Sequence, residues 1–295
     1  MSALGTGQLP KEAIHPETSI GTVRLTVSDL DRSRGFYEQA IGLQSAERDD
    51  GTLAFGVAGE HPLVELRVER SAPRLDRRAT GLFHLAVLVP SRIDLGFALA
   101  RLAEARWPLD GASDHLVSEA LYLSDPDGNG IEIYRDRPRE QWPRANGSLA
   151  MDTLPLDLDS VLGELGGARE LQPLVPPGTE IGHVHLQVSD IREAEDFYSG
   201  VVGFEVMVRG YPGALFVSAG GYHHHLGLNT WHSAGAAPPA PGAVGLRSFE
   251  ITLPNPQELE RLLERVSAAG VELQQDADGS LIRDPSGNAL LLRSA

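Results

Sequence analysis

Between Ile20 and Val27 apolar and polar residues alternate, with Val23, Leu25 and Val27 on one face and Thr22, Arg24 and Thr26 on the other. A period of two is that of a half-buried strand. Its polar face must look into something other than core. Ser28 and Asp29 can cap a helix start, and Leu30–Ala40 has amphipathic helical spacing, with Phe36 and Tyr37 near its end and Gly42 as its stop. Short strand patterns follow around 44–48, 53–57 and 63–68, completing a βαβββ unit. The pattern then restarts. A strand is predicted over 82–89, a helix over 93–105, and strands over 107–109, 120–124 and 130–135, with Gly128-Asn129-Gly130 as the turn before the last.

The second half repeats this order. A third unit runs from Ile181 to about Trp231, and the Pro-rich stretch Ala234–Ala243 separates it from a fourth. The fourth has strand patterns at 246–253 and 289–293 and a helix pattern over 256–269. The duplication is visible in the letters themselves: IGTVRLTVSDLDRSRGFYEQAIGL (20–43) against IGHVHLQVSDIREAEDFYSGVVGF (181–204), and DPDGNGIEIY (125–134) against DPSGNALLLR (284–293). Repeats fix architecture before anything else does. The expectation is an α+β protein of four βαβββ modules in two domains, 16–138 and 179–295. The linker between them, 139–178, is rich in Pro, Gly and acidic residues, with one short helix near 158–165.

The copies differ where chemistry could reside. Thr22 and Arg24 of the first become His183 and His185 in the third, and the Glu132 of module two is answered by Leu291 in module four. One copy of each pair has gained candidate ligands and the other lacks them.

Composition narrows the choices. The chain has 295 residues, a length that suits two domains, and no cysteine, so any metal must be held by His, Asp or Glu. With 41 acidic against 25 basic residues and a net charge of −16, a nucleic-acid groove is not expected. No stretch approaches the roughly 18 apolar residues of a membrane span. The first residues lack the basic start and apolar run of a leader, which makes a soluble cytoplasmic protein the expectation.

Four modules opening with V-S-D-[LI]…F-Y and closing with D-P-x-G-N resemble the vicinal oxygen chelate superfamily. The segments GLFHLAVLVPSR, SDHLVSEALYLSDPDGNGIEIYRDRP, IGHVHLQVSD and ALFVSAGGYHHHLGLNTW are similar to two-domain catechol-2,3-dioxygenase-like proteins of bacteria. The resemblance implies modules that curl into cups, paired around a metal. It nominates Thr22 and Glu65, His84 and Glu132, His183 and His225, and Ser248 and Leu291 as the ligand positions of the four modules. It further implies an extradiol ring cleavage at Fe(II), with Mn(II) as the other suitable ion, held by His84, Glu132 and His183. In the common extradiol arrangement all three ligands lie in the C-terminal domain. Here Ser248 and Leu291 forbid that, so the cup is expected to close between modules two and three. The substrate would be a catechol with O2 as co-substrate. His225 would be the acid/base, with His224 next, Tyr122 the donor to substrate oxygen, and His115 its support. A homo-oligomer is left open.

Simpler readings stand beside these. His84, between Phe83 and Leu85, could be a satisfied core histidine, and Glu132 could serve only a salt bridge. His183 and His185 share a face, so either could line rather than ligate. The run His223–His225 could be a surface metal-scavenging tract. Glu65 and His61 form an alternative donor set if the N-terminal domain closes its own cup with His84 and Glu132. The rival functions are a glyoxalase-type lyase or isomerase, and a non-catalytic small-molecule binder of the same fold.

Overall fold

A computed structural model of the chain describes residues 12–145, 148–167, 172–209 and 211–295. The start of the N-terminal segment, read above for a leader, lies outside these. Two sheets are formed, and each takes one module from each half of the chain. The first has eight strands, in the order 274–276, 279–283, 289–294, 245–253, 19–27, 64–68, 53–56, 44–47, and joins module four to module one. The second has nine, in the order 154–155, 111–114, 118–124, 130–136, 81–88, 180–187, 226–229, 214–218, 205–208, and joins module two to module three.

Within every module the first strand runs parallel to the last, as Gly81–Leu88 does to Gly130–Asp136 and Glu180–Gln187 does to Leu226–Asn229. Between modules the opening strands run antiparallel, Ser19–Val27 against Gly245–Leu253 and Gly81–Leu88 against Glu180–Gln187. Helices Arg92–Glu104 and Pro256–Ala268 begin at Ser91 and Asn255, whose side chains accept from the amides of Asp94 and Glu258. Their apolar faces, Leu95, Leu99 and Leu102 in one and Leu262 and Val266 in the other, pack into a core shared by both sheets.

Two expected elements differ. The helix over 30–40 is an α-turn, Leu30–Gly35, followed by a π-helix, Phe36–Ile41, and module three repeats this with Ile191–Glu195 and Asp196–Val201. The wider turn lets adjacent aromatic residues, Phe36 with Tyr37 and Phe197 with Tyr198, all bury their rings. Residues 107–109 form no strand; Trp107 instead donates its indole N–H to the carbonyl of Ser124, and the strand begins at Gly111. The linker does form its short helix, Leu158–Gly163, but it also adds an edge strand, Leu154–Pro155, to the second sheet.

The two recurring motifs explain one another. In D-P-x-G-N the aspartate carboxylate organises its own turn: Asp125 accepts from the amides of Asp127 and Asn129 and from the Asn129 side chain, and Asp284 does the same with Ser286 and Asn288. The tyrosine of F-Y, from the module before, completes the set. Tyr37 donates to Asp125 at 3.3 Å and Tyr198 to Asp284 at 2.9 Å. Strand ladders thus join modules one to four and two to three, while these buried bonds tie one to two and three to four.

The inner face of the first sheet is filled by an ion cluster. Arg24 donates to Glu65 (2.9 Å), Glu250 (2.8 Å) and Asp278 (3.0 Å), and Glu250 also accepts from the amide of Thr22 and stands 3.2 Å from His61. Burial alone would raise the Glu250 carboxyl. The hydrogen bond with His61 and the charge of Arg24 outweigh it and hold the pKa at about 2.

Two outcomes are expected. Tyr198→Phe leaves a buried carboxylate short of a donor and should cost about 1.5–3 kcal/mol in urea unfolding. For Glu250, a folded pKa depressed from 4.5 to about 2 gives stability that is present above pH 4.5 and lost as pH falls toward 2, on the order of 3 kcal/mol in all. Glu250→Gln should flatten that acid limb in unfolding curves taken from pH 5 to pH 2.5; an unchanged limb would place the titration elsewhere.

Candidate active site

The antiparallel ladder between Gly81–Leu88 and Glu180–Gln187 puts His183 opposite Ala86 and His185 opposite His84, and the parallel ladder puts Ala86 beside Glu132. Ala86 therefore sits between His183 and Glu132, and its methyl, packed with Ala120 and Tyr134, puts no polar group between them. The Glu132 carboxylate Oε2 lies 2.9 Å from His84 Nε2 and 3.1 Å from His183 Nε2, and the two nitrogens are 3.4 Å apart. All three residues are buried. One ion with metal–ligand bonds of about 2.0–2.2 Å can reach three donors so spaced, from one side. Burial would raise the Glu132 carboxyl, yet His183 and His84 hold it well below its ordinary range, so it stays a carboxylate. Burial depresses His183, which keeps the neutral form a metal needs.

Packing orients His183. Its Nδ1 has no hydrogen-bond partner among the described residues, and the ring is held between Tyr134 (4.8 Å between centroids) and His224 (4.1 Å). Gly182 permits this: a Cβ there would overlap the Tyr134 hydroxyl, which bonds to that of Tyr222 at 2.7 Å.

Two of the donors, His84 and Glu132, line a cavity of about 210 Å³ together with Phe83, Tyr122, Phe216, Trp231, His115 and His224, among others, while His183 lies buried behind them. Tyr122 is opposite Glu132 in the 118–124/130–136 ladder, and its hydroxyl is 2.7 Å from His115 Nε2. The other nitrogen of His115, Nδ1, lies 2.9 Å from the carbonyl of Asp152, which can only accept. In neutral His115 the proton is therefore on Nδ1, and Nε2 accepts from Tyr122. Burial and the Glu132 charge push the Tyr122 phenol well above its usual pKa. It can pass a proton on but does not hold a negative charge.

The three consecutive histidines go different ways. They precede the strand Leu226–Asn229, and of the three His225 is the one bonded to its neighbouring strands, its amide donating to Val217 and its carbonyl accepting from Val184. His223 Nε2 is 2.8 Å from the Asp136 carboxylate and donates to it, so its Nδ1 accepts from His224 Nδ1, also at 2.8 Å. This leaves His224 Nε2 as a bare acceptor. Burial, with the surrounding histidines, keeps His224 neutral. His225 does not join the cavity. Its Nδ1 is bonded to Ser218 and the Ala219 amide, its ring lies 5.0 Å from Tyr222, and burial pulls its pKa down to about 3.

Of the residues named from sequence, the structure thus brings together His84, Glu132, His183, Tyr122 and His115, and puts His224 rather than His225 beside them. The alternative donors Glu65 and His61 belong to the ion cluster of the other sheet. Of the other nominated positions, Thr22 gives its amide to Glu250 and its hydroxyl to the carbonyl of Pro62, and Ser248 and Leu291 offer no carboxylate or imidazole. Met151 and Thr153, from the linker, line the cavity without any sequence signal. Trp231 and Phe216 could have been flagged only by their nearness to the histidine run.

A family model for the glyoxalase/bleomycin resistance protein/dioxygenase superfamily matches residues 19–133 and again 180–292. The chain belongs to this superfamily. It is 44% identical over 283 residues to the catechol-2,3-dioxygenase of Bacillus subtilis (strain 168), covering 95% of this chain and 98% of that protein. Among solved structures, glyoxalase I of Zea mays covers 94% of the chain with 92% of its own, at 16% identity and a TM-score of 0.56. A Bacillus subtilis protein provisionally described as a dioxygenase covers 96% with 86% of its own, at 13% identity and a TM-score of 0.66. At such identities the last two bear on the fold alone.

Protein purified and reconstituted anaerobically should carry about one divalent ion per chain, and His84→Ala, Glu132→Ala and His183→Ala should each abolish retention. Glu65→Ala should leave the metal in place. Elemental analysis of the four variants checks this, and a His183→Ala protein that keeps its metal would refute the site.

Proposed function

We propose that the protein is an extradiol ring-cleaving dioxygenase that opens a catechol with O2 to a muconic semialdehyde, using Fe(II) held by His84, Glu132 and His183. The carrying observation is a buried two-histidine, one-glutamate set, two of whose members line an aromatic-rich cavity, in a chain aligned nearly end to end with a catechol-2,3-dioxygenase. Fe(II) suits this donor set, as does Mn(II). When bound, the ion supplies open coordination positions for both catechol oxygens and O2. Phe83, Phe216 and Trp231 give the aromatic ring an apolar berth.

The chain's own residues handle the protons. His224 Nε2, an acceptor on a residue that lines the cavity, would take a proton from one catechol hydroxyl and later return it to the ring-opened product. Asp136 and His223 hold it in that tautomer. Tyr122 lies on the other side, with its proton directed to His115 Nε2, so its free lone pair accepts from the second hydroxyl. A proton arriving at Tyr122 moves on to His115, whose Nδ1 stays anchored to Asp152. The acid/base role expected for His225 therefore passes to His224, the neighbour whose ring reaches the cavity. A glyoxalase-type reaction fits less well, because the cluster has one carboxylate and no fourth donor among the described residues.

His224→Phe should keep its metal and still bind catechol but lose roughly two to four orders of magnitude in turnover, the usual worth of a positioned acid/base. His225→Phe should stay close to the parent. Oxygen uptake, metal content and anaerobic catechol affinity measured on the same preparations test both. The reverse ranking would return the role to His225.

A further inference from the structure

The cavity holds one imidazole that neither the ligand set nor the proton path uses. His185 is 4% exposed, and its Nε2 is buried with no hydrogen-bond partner among the described residues. Leaving such an atom unpaired costs about 1–3 kcal/mol, so its persistence needs a reason. The ring is boxed by Phe83 (5.1 Å between centroids), Trp231 (5.4 Å) and Phe216 (5.8 Å), with His84 edge-on at 4.9 Å. Behind it stands its ladder partner, Gly227, where a Cβ would come within 2.8 Å of His185 Cγ and 2.9 Å of Nδ1 and Cδ2. The far end of the ring, which carries Nε2, is turned away from that strand, and the residue lines the cavity together with His84 and Glu132.

The internal repeat provides a control. At the same two ladder positions the first module has Arg24 and Glu65, which satisfy each other. The third module has His185 and Gly227: the partner carboxylate is gone and the space it would fill is given to the ring. Ligand set, Tyr122 and His224 account for the two catechol oxygens. Among Phe83, Phe216 and Trp231, His185 Nε2 is the unpaired polar atom, left for a substituent on the ring carbons to meet.

Resting on the dioxygenase reading above, we propose that His185 Nε2 hydrogen-bonds an oxygen-bearing substituent on the catechol ring, so that the enzyme selects polar-substituted over alkyl-substituted catechols. Two isosteric pairs test it: 3-hydroxymethylcatechol against 3-ethylcatechol, and 4-hydroxymethylcatechol against 4-ethylcatechol. Each pair is compared by kcat/KM in oxygen uptake and by Kd in anaerobic titration of the metal-loaded protein. The parent should prefer the hydroxymethyl member of one pair by about tenfold or more, the discrimination expected when a buried polar group would be left unpaired. His185→Phe, which fits the aromatic box, should bring that ratio close to one with metal content unchanged, and His185→Gln should restore part of it. The idea is overturned if the parent shows no preference in either pair, if His185→Phe keeps the preference, or if His185→Phe loses its metal and so identifies a ligand. Absence of oxygen uptake with every catechol would instead count against the dioxygenase reading, while the anaerobic Kd ratios still decide the role of His185.

Discussion

Everything at the site depends on one antiparallel ladder, Gly81–Leu88 against Glu180–Gln187. It joins strands from opposite halves of the chain and puts His84 and His183 on adjacent strands. The third donor, Glu132, comes in on the next strand of the same sheet, and Tyr122 on the one after. A slip of one residue in this ladder would send His183 to the other face and leave Glu132 buried with a single partner. Register there is pinned by side chains, since Gly182 is the only residue type that fits against Tyr134.

The equivalent ladder in the other sheet shows how little is needed to lose a metal cup. Glu132 and Leu291 are each seven residues beyond the aspartate of their D-P-x-G-N turns, and their ladder neighbours are Ala86 and Glu250. Where the metal cup keeps a methyl group, the other cup has a carboxylate that reaches into the centre and is neutralised by Arg24. One sheet leaves room for an ion and the other supplies its own charge pair in that room. Arg24, Glu65 and Glu250 are buried at the centre of this cluster, while Asp278 and His61 meet solvent at its edge.

Much of this was legible in the letters. Period-two runs, caps and the duplicated motifs yield four modules, and the uneven distribution of His and Glu between copies leads to His84, Glu132 and His183. What the sequence hides is physical. The Phe36–Ile41 and Asp196–Val201 segments obey helical spacing whether the turn is α or π, so pattern alone cannot separate them. At His223–His225 alternation was applied to residues that precede the strand, and it chose the imidazole that packs against Tyr222 over the one that faces the cavity. Met151 and Thr153 reach the site through tertiary placement of the linker, which leaves no periodic trace.

The crossing of the two couplings, ladders in one sense and Tyr–Asp bonds in the other, also bears on the order of events during synthesis. His84 and Glu132 are made first, but the strand that carries His183 is made about fifty residues later, and its own parallel neighbour, Leu226–Asn229, later again. A nascent chain can therefore offer at most two of the three donors until most of it has been translated. Contacts so distant along the chain favour slow closure, and the ion can be captured only after the two halves have met.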